Sequence, residues 1–168
     1  HIVGVQLRNL ATVGGSIYSR FGFSDVLTMF LALNASVELY KGGVVPLAEY
    51  AQRPYDRDIL VRVLVPKENA RFVYQSVRNS QTDFPVLTCA AAKLADGSIR
   101  AAIGARPGKA VLYTAAPEAG ETAEEFAARF AAEVKADIKT ESNLRGGAEY
   151  RRHLAGVLTK RAVCRLEG

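Results

Sequence analysis

The stretch PVLTCAAAKLADGSIRAAIGA, residues 85–105, carries the signals that decide the fold. Two apolar runs flank the tripeptide DGS (96–98), and Asp-Gly between such runs is a strong hairpin signal. We therefore expect two antiparallel strands joined by a tight turn. The segment ARFVYQSV (70–77) predicts a third strand, and PGKAVLYTAA (107–116) is either an irregular connection or a further strand.

Two long helical patterns follow these strands. The segment ETAEEFAARFAAEVKADI (121–138) has Thr122 and Glu125 at the spacing of a capping box, and an apolar stripe follows at helical spacing. AEYRRHLAGVLTKRAVCRL (148–166) is a second amphipathic helix. Together these elements predict an α+β module with a three-stranded antiparallel sheet backed by two helices.

The first part of the chain is organised differently. VGVQLRN (3–9) alternates in character and favours an extended start, whereas SDVLTMFLALNA (24–35) predicts a helix with Ser24 as its N-cap. SVELY (36–40) and DILVRVLVP (58–66) predict strands, and VVPLAEYA (44–51) predicts a short strand followed by a helical turn. A boundary at the end of DILVRVLVP divides the chain into residues 1–66 and 67–168.

Composition excludes several classes of protein. The 168 residues are 49% hydrophobic and 23% charged, which is typical of a globular domain, and no apolar run reaches the ~20 residues of a membrane-spanning helix. The net charge of +5 is spread along the chain, which argues against nucleic-acid binding. Cys89 and Cys164 lie far apart in apolar surroundings, so we expect small core residues in a reduced, cytoplasmic protein.

The stretch ATVGGSI (11–17) raises the main chemical question, because two adjacent glycines stand among hydroxyl side chains. Successive N–H groups in a turn of this kind can form a concave anion site, to which Thr12, Ser16 and Ser19 would add donors. The alternative is a plain turn with polar edges. Asp25 is likewise either a first-turn helix residue or an acceptor for a ligand hydroxyl such as that of a ribose or ribityl group.

Other reactive side chains form no recognisable catalytic set. His1 and His153 have no nucleophile nearby in sequence, so histidine acid–base catalysis is disfavoured. Any chemistry would then be carried by a cofactor. A basic group near the C-terminus predicts a solvated helix face, or a surface for an acidic partner; it comprises Arg151, Arg152, Lys160, Arg161 and Arg165.

Four segments in combination resemble one known family. They are RNLATVGGSI (8–17), SD (24–25), DILVRVLVP and SNLRGGAEYRRHLAGVLTKRAV (142–163). The pattern resembles the FAD-binding (medium) subunit or domain of the xanthine dehydrogenase and carbon monoxide dehydrogenase group of molybdenum hydroxylases. Residues 1–66 look like the second half of its FAD-binding domain and 67–168 like its C-terminal α+β domain, so the family's N-terminal FAD-binding half is expected to be missing.

The resemblance implies a set of cofactor-binding positions and no catalytic or metal-ligating residue. Small residues would let the backbone approach the FAD pyrophosphate and ribityl chain, an aspartate would accept from a cofactor hydroxyl, and a leucine would touch the flavin. The positions are Thr12, Val13, Gly14, Gly15, Ser16, Ser19, Asp25 and Leu60.

The resemblance also implies an oxidoreductase in which electrons leave a molybdenum centre, pass through iron–sulfur clusters to FAD, and reach NAD or another acceptor. Molybdopterin and iron–sulfur clusters would belong to partner subunits, with no nucleic acid and no membrane span involved. This chain would hold the flavin in place. Two alternatives remain: a docking subunit or fragment that no longer binds flavin, and an anion- or nucleic-acid-binding module that uses the basic C-terminal helix.

Overall fold

The computed structural model describes residues 2–67 and 70–167, so the histidine at position 1 lies outside the described residues. In chain order the elements are α1 Val5–Leu10, α2 Val13–Tyr18, α3 Asp25–Ala32, β1 Ser36–Leu39, β2 Gly43–Pro46, α4 Leu47–Gln52, β3 Leu60–Leu64, β4 Arg71–Val77, β5 Leu87–Lys93, β6 Ile99–Gly104, β7 Val111–Ala115, α5 Ala123–Asp137 and α6 Ala148–Glu167. The α+β class predicted from the sequence is confirmed.

The larger sheet is antiparallel, with strand order β4-β5-β6-β7. The predicted hairpin joins β5 to β6, where Gly97 takes a φ of 83° and the Leu94 N–H donates to the Ser98 carbonyl at 2.8 Å. The sheet has four strands instead of the three predicted. The segment PGKAVLYTAA forms a further strand, since it contains β7, which pairs with β6 and so satisfies backbone groups of both.

Both faces of β5 are buried, and this makes the larger sheet a central layer. Leu87, Cys89 and Ala91 belong to the core that the sheet shares with α5 and α6. Ala90 and Ala92 belong to the opposite core, with α3, α4 and the smaller sheet. The small residues on this second face let α3 lie close against the strands.

Helices α5 and α6 cover the first face of the sheet. The capping box predicted at Thr122 and Glu125 is present, and the apolar stripe that follows it along α5 is buried. One prediction for α6 is wrong, because Arg151 is fully buried; its guanidinium donates to the Val86 and Glu141 carbonyls at 3.0 and 2.8 Å. The rest of that basic group is exposed, as expected for a solvated face; these residues are Arg152, Lys160, Arg161 and Arg165.

The two cysteines differ in their surroundings. Cys89 is buried, as predicted, and burial raises the pKa of its thiol to about 12. Cys164 is exposed near the end of α6, so its assignment as a core residue is wrong. A thiol with a raised pKa carries little thiolate at neutral pH and is a poor nucleophile.

The smaller sheet has strand order β2-β1-β3 and packs with α3 and α4. Ser24 caps α3, as predicted, by accepting from the Leu27 N–H at 3.2 Å. The extended start predicted for VGVQLRN is wrong, because residues 5–10 form α1. In the described residues this segment has no strand partner. Its backbone instead forms local hydrogen bonds, such as the one that the Arg8 N–H donates to the Gly4 carbonyl at 3.1 Å.

Within residues 2–67 and 70–167, none of the helices combines the length and the apolar character required to cross a membrane.

Candidate functional site

The glycine pair lies in the first turn of helix α2 and not in a tight turn with positive φ. Thr12 is the N-cap of this helix, and its Oγ1 accepts from the Gly15 N–H at 3.0 Å. Neither Gly14 nor Gly15 has a positive φ. The turn predicted at these glycines is therefore a helical turn, because the threonine cap draws both glycines into helical geometry.

The start of α2 presents several polar groups that can bind a ligand. The first N–H groups of a helix have no intrahelical acceptor and carry partial positive charge. Within the described parts of the chain, the hydroxyls of Ser16 and Ser19 make no hydrogen bond, and both side chains are half-buried. These hydroxyls are therefore available to an anion or to a sugar alcohol.

These residues line a cleft with a volume of 490 Å³. Five of the predicted positions lie on its wall, namely Thr12, Gly15, Ser16, Ser19 and Asp25. The remaining wall is mostly apolar, and it includes Ile2, Val3, Leu7, Leu10, Phe21, Phe23, Ser24, Val26 and Phe84. A few convergent polar groups in an apolar concavity are the usual composition of a cofactor site.

An aromatic cluster that the sequence interpretation missed forms part of this wall. Phe21 and Phe23 stack with ring centroids 5.1 Å apart, and Phe23 meets Phe84 edge-on at 4.9 Å. The guanidinium of Arg145 lies 5.2 Å from the Phe84 ring and pairs with Asp83 at 2.8 Å. The signal available in the sequence was Phe21-Gly22-Phe23 immediately before the α3 cap, whereas Phe84 arrives only through tertiary packing.

Asp25 both occupies the first turn of α3 and faces the cleft. It is only 5% exposed, and its Oδ1 accepts from Arg78 at 2.5 Å and from the Tyr74 hydroxyl. Burial, together with the charge of Asp25, raises the pKa of Tyr74, so this hydroxyl stays protonated and donates. In the described residues no hydrogen bond uses the Asp25 Oδ2, which leaves an acceptor on a carboxylate held in place by two donors.

A second cleft of 340 Å³ lies on the other side of the glycine pair, between Gly14 and Gly15 and the segment 58–60. It brings the predicted Leu60 to the glycines. Asp58 orders this side by accepting from the N–H groups of Lys41 and Gly42, and these bonds hold the pKa of its carboxyl below the usual range.

The structure therefore brings seven of the eight predicted positions to two clefts that share Gly15. Val13 lines neither cleft and is 52% exposed on the surface of α2. His153 is exposed on α6, away from both clefts. Across residues 2–67 and 70–167, no three His, Cys, Asp or Glu side chains are grouped so that they could hold a metal ion.

Two family models match the chain. Residues 1–68 match the FAD binding domain in molybdopterin dehydrogenase, and residues 72–166 match the CO dehydrogenase flavoprotein C-terminal domain.

Individual proteins are similar over almost the whole chain. The uncharacterized protein YgfM of Escherichia coli K12 is 27% identical over 153 residues, which are 91% of this chain and 57% of YgfM. Carbon monoxide dehydrogenase from Hydrogenophaga pseudoflava superposes with a TM-score of 0.82 at 24% identity, over 98% of this chain and 63% of that one. Quinoline 2-oxidoreductase from Pseudomonas putida 86 gives 0.81 at 21% identity, over 99% and 64%. The chain thus spans about three-fifths of the length of these proteins, and the solved structures share its fold.

Proposed function

We propose that this chain, which belongs to the CO dehydrogenase flavoprotein family of the molybdopterin dehydrogenases, binds FAD as part of an oxidoreductase complex. One observation carries the proposal: the 490 Å³ cleft gathers free hydroxyls, a helix N-terminus and a fixed carboxylate within an apolar, aromatic wall. Such a cleft offers donors to phosphates, an acceptor to a sugar alcohol, and flat apolar surface to a ring system.

The residues present fit a dinucleotide cofactor. The first-turn N–H groups of α2 other than that of Gly15, with the hydroxyls of Ser16 and Ser19, would hold the pyrophosphate. The free Oδ2 of Asp25 would accept from a hydroxyl of the ribityl or ribose. Gly14 has no atom within 4 Å of the position of a Cβ, so a ligand can approach the backbone of α2 at this point.

The chain's own contribution to the chemistry would be binding and orientation. FAD supplies the redox chemistry when it is bound. Phe21, Phe23 and Phe84 would exclude water from one side of the cleft, while Leu60 would contact the flavin beside the glycine pair. No residue of the chain is assigned as an acid or a base.

Further parts of the proposal concern the complete enzyme. We infer that partner subunits hold the molybdopterin and the iron–sulfur clusters, and that electrons pass through FAD to NAD or another acceptor. A xanthine dehydrogenase-like reaction and a cytoplasmic location belong to the same proposal. The division into residues 1–66 and 67–168 is supported by the two sheets, which lie on either side of that boundary.

A titration of the chain with FAD, followed by flavin fluorescence, tests the proposal, with Gly15→Val as the variant. A Cβ at Gly15 would lie 3.0 Å from the Thr12 Oγ1, and Gly15 lines both clefts, so a valine would crowd the helix cap and the site together. We expect the variant to raise the Kd for FAD at least about tenfold.

The matched control is Gly147→Ala, because Gly147 lies before α6, has no atom within 4 Å of its Cβ position and lines neither cleft. It should bind FAD as the unaltered chain does. Failure of the unaltered chain to bind FAD would contradict the proposal and favour the docking role without flavin.

A further inference from the structure

We propose that Arg20 is a positioning residue that ties the end of α2 to the segment 53–58. By doing so it sets the place of residues 58–60 opposite the glycine pair. The inference about position stands on the geometry alone, and its consequence for FAD rests on the proposed function.

The backbone at Arg20 indicates that its side chain is needed. Arg20 directly follows Ser19, the C-cap of α2, and has a φ of 53°. Glycine is the residue that most often occupies this position after a helix, because an L side chain in the left-handed region is strained. An arginine that accepts this conformation must gain something from its side chain.

The side chain of Arg20 is almost completely buried, with 5% of the residue exposed, and it is held on several sides. Nη2 donates to the Tyr50 hydroxyl at 3.0 Å and pairs with Asp56 Oδ1 at 3.2 Å, while Nη1 donates to the Pro54 carbonyl. The guanidinium also lies 4.2 Å from the centroid of the Tyr50 ring and 5.3 Å from that of Tyr55. This planar fork joins α2, α4 and the segment after α4 in one contact.

The contact continues along the chain to the second cleft. Asp56 Oδ1, which pairs with Arg20, also accepts from the Asp58 N–H at 3.3 Å. The Asp58 carboxylate then accepts from the Ile59 N–H at 2.8 Å, directly before Leu60. The Tyr18 hydroxyl donates to the Asp56 carbonyl at 3.2 Å, which adds a second link from α2. Asp56 thus links residues 58–60 to Arg20, in addition to the bonds that the N–H groups of Lys41 and Gly42 donate to Asp58.

Stability alone does not account for this arrangement. A buried cation loses its hydration, and the Nε of Arg20 is buried without a hydrogen-bond partner among the described residues. Apolar residues of similar volume commonly stabilise such positions as well as a buried ion pair does. The guanidinium adds a fixed orientation of α2 relative to the segment after α4, because its donors reach three different acceptors at once.

Hydrogen exchange of the amides of Asp58 and Ile59, measured without cofactor, tests the positioning directly. Arg20→Gly removes the fork but suits the left-handed backbone, so the chain should still fold. We expect protection of these two amides to fall about tenfold while the larger sheet keeps its protection. Arg20→Lys should give a similar loss, because an ammonium group lacks the planar fork.

The matched control is Arg53→Met, which removes a neighbouring arginine whose ion pair with Glu49 lies at the surface. It should leave exchange at residues 58–60 unchanged. The inference would be overturned if the exchange rates of these amides were unchanged in both Arg20 variants. It would also be overturned if exchange rates rose equally throughout the chain.

The second readout is FAD affinity together with the visible absorption band of bound FAD. We expect Arg20→Gly to raise the Kd about tenfold and to alter the shape of the band, since the contact at Leu60 would be loosened. If the unaltered chain binds no FAD while the amides still respond to Arg20, the proposed function fails and the positioning role stands. If the amides of Asp58 and Ile59 lose protection and FAD binding is unaffected, the consequence inferred for the cofactor is wrong.

Discussion

Asp25 shows how one side chain can serve the fold and a ligand at once. Its carboxylate is buried between α3 and the larger sheet, where Arg78 and Tyr74 converge on the same oxygen. Tyr74 lies on β4, and Arg78 directly follows that strand. The side chain of Asp25, which faces the cleft, is therefore positioned by residues from the second part of the chain. A carboxylate that two donors hold in this way has a fixed orientation, and a hydrogen bond from a ligand hydroxyl depends on that orientation.

Arg78→Met should destabilise the protein strongly. The side chains of Arg78 and Asp25 are 7% and 6% exposed, so the substitution leaves a buried carboxylate without its counter-charge. We expect the free energy of unfolding to fall by about 3 kcal/mol, measured by urea denaturation.

The matched control is Arg62→Met, which breaks an ion pair with Glu38 at 2.7 Å in which the arginine side chain is 62% exposed. It should cost less than about 1 kcal/mol because water screens such pairs. Equal losses for the two variants would show that burial does not govern the strength of the Asp25 pair.

At the scale of the element, the start of α5 is the clearest case of local sequence deciding local structure. Thr122 and Glu125 form both hydrogen bonds of the capping box. Glu121, just before the cap, accepts from Arg129 at 2.9 and 2.8 Å and from the Glu118 N–H at 2.9 Å. The Arg129 side chain, and then the Glu118 N–H, lower the pKa of Glu121 to about 2.

This lowered pKa predicts a loss of stability in acid. The folded state holds the proton of Glu121 less tightly than the unfolded chain, whose ordinary pKa is 4.5. Its contribution is therefore complete above pH 4.5 and disappears as the pH falls towards 2. In urea unfolding across this range, Glu121→Gln should reduce the dependence of stability on pH.

The control for this experiment is Glu124→Gln, since the side chain of Glu124 is 85% exposed and its nearest cation, Lys160, is 3.9 Å away. It should retain the pH dependence of the unaltered chain. If Glu121→Gln also retained it, the ion pair with Arg129 would not be coupled to folding.

At the scale of the whole molecule, the larger sheet is the layer on which both parts of the chain pack. The loop before α3 lies backbone to backbone on the loop after β6: a Cβ at Gly22 would come within 1.8 Å of the Gly108 carbonyl oxygen. The Ala105 N–H donates to the Gly22 carbonyl at 2.6 Å, beside Gly104. These contacts place the aromatic cluster and α3 beside the end of β6, and the cleft depends on them.

Gly104→Ala should disturb this packing. The new Cβ would lie 2.4 Å from the Thr28 Oγ1, 2.5 Å from the Thr88 Oγ1 and 2.7 Å from the Gly22 carbonyl oxygen. Overpacking of this kind costs about 1–3 kcal/mol, which thermal or urea unfolding will measure.

The comparison for this variant is again Gly147→Ala, which meets open space and should leave stability within about 0.5 kcal/mol. If Gly104→Ala were equally neutral, the close approach of α3 to the sheet would not be needed for stability.

The sequence by itself determined the elements whose signals are local. The hairpin at residues 96–98, the cap at Ser24 and the capping box at Thr122 all formed as predicted, because each depends on residues within a few positions of one another. The four combined segments were also enough for the family, which the two family models confirm. The eight cofactor positions remain predictions, although the structure brings seven of them to two clefts.

What only the tertiary structure decided is which side chains are buried and what they meet. Arg151 was predicted to be part of a solvated basic face, yet it is buried against the carbonyl of Val86, which lies 65 residues earlier in the chain. The extended start became α1 because no strand of the described chain pairs with it. Phe84 reaches the cleft, and Arg78 reaches Asp25, from the second part of the chain. Local patterns set helices, turns and caps, whereas burial and the partners of a charged group depend on contacts between residues far apart in sequence.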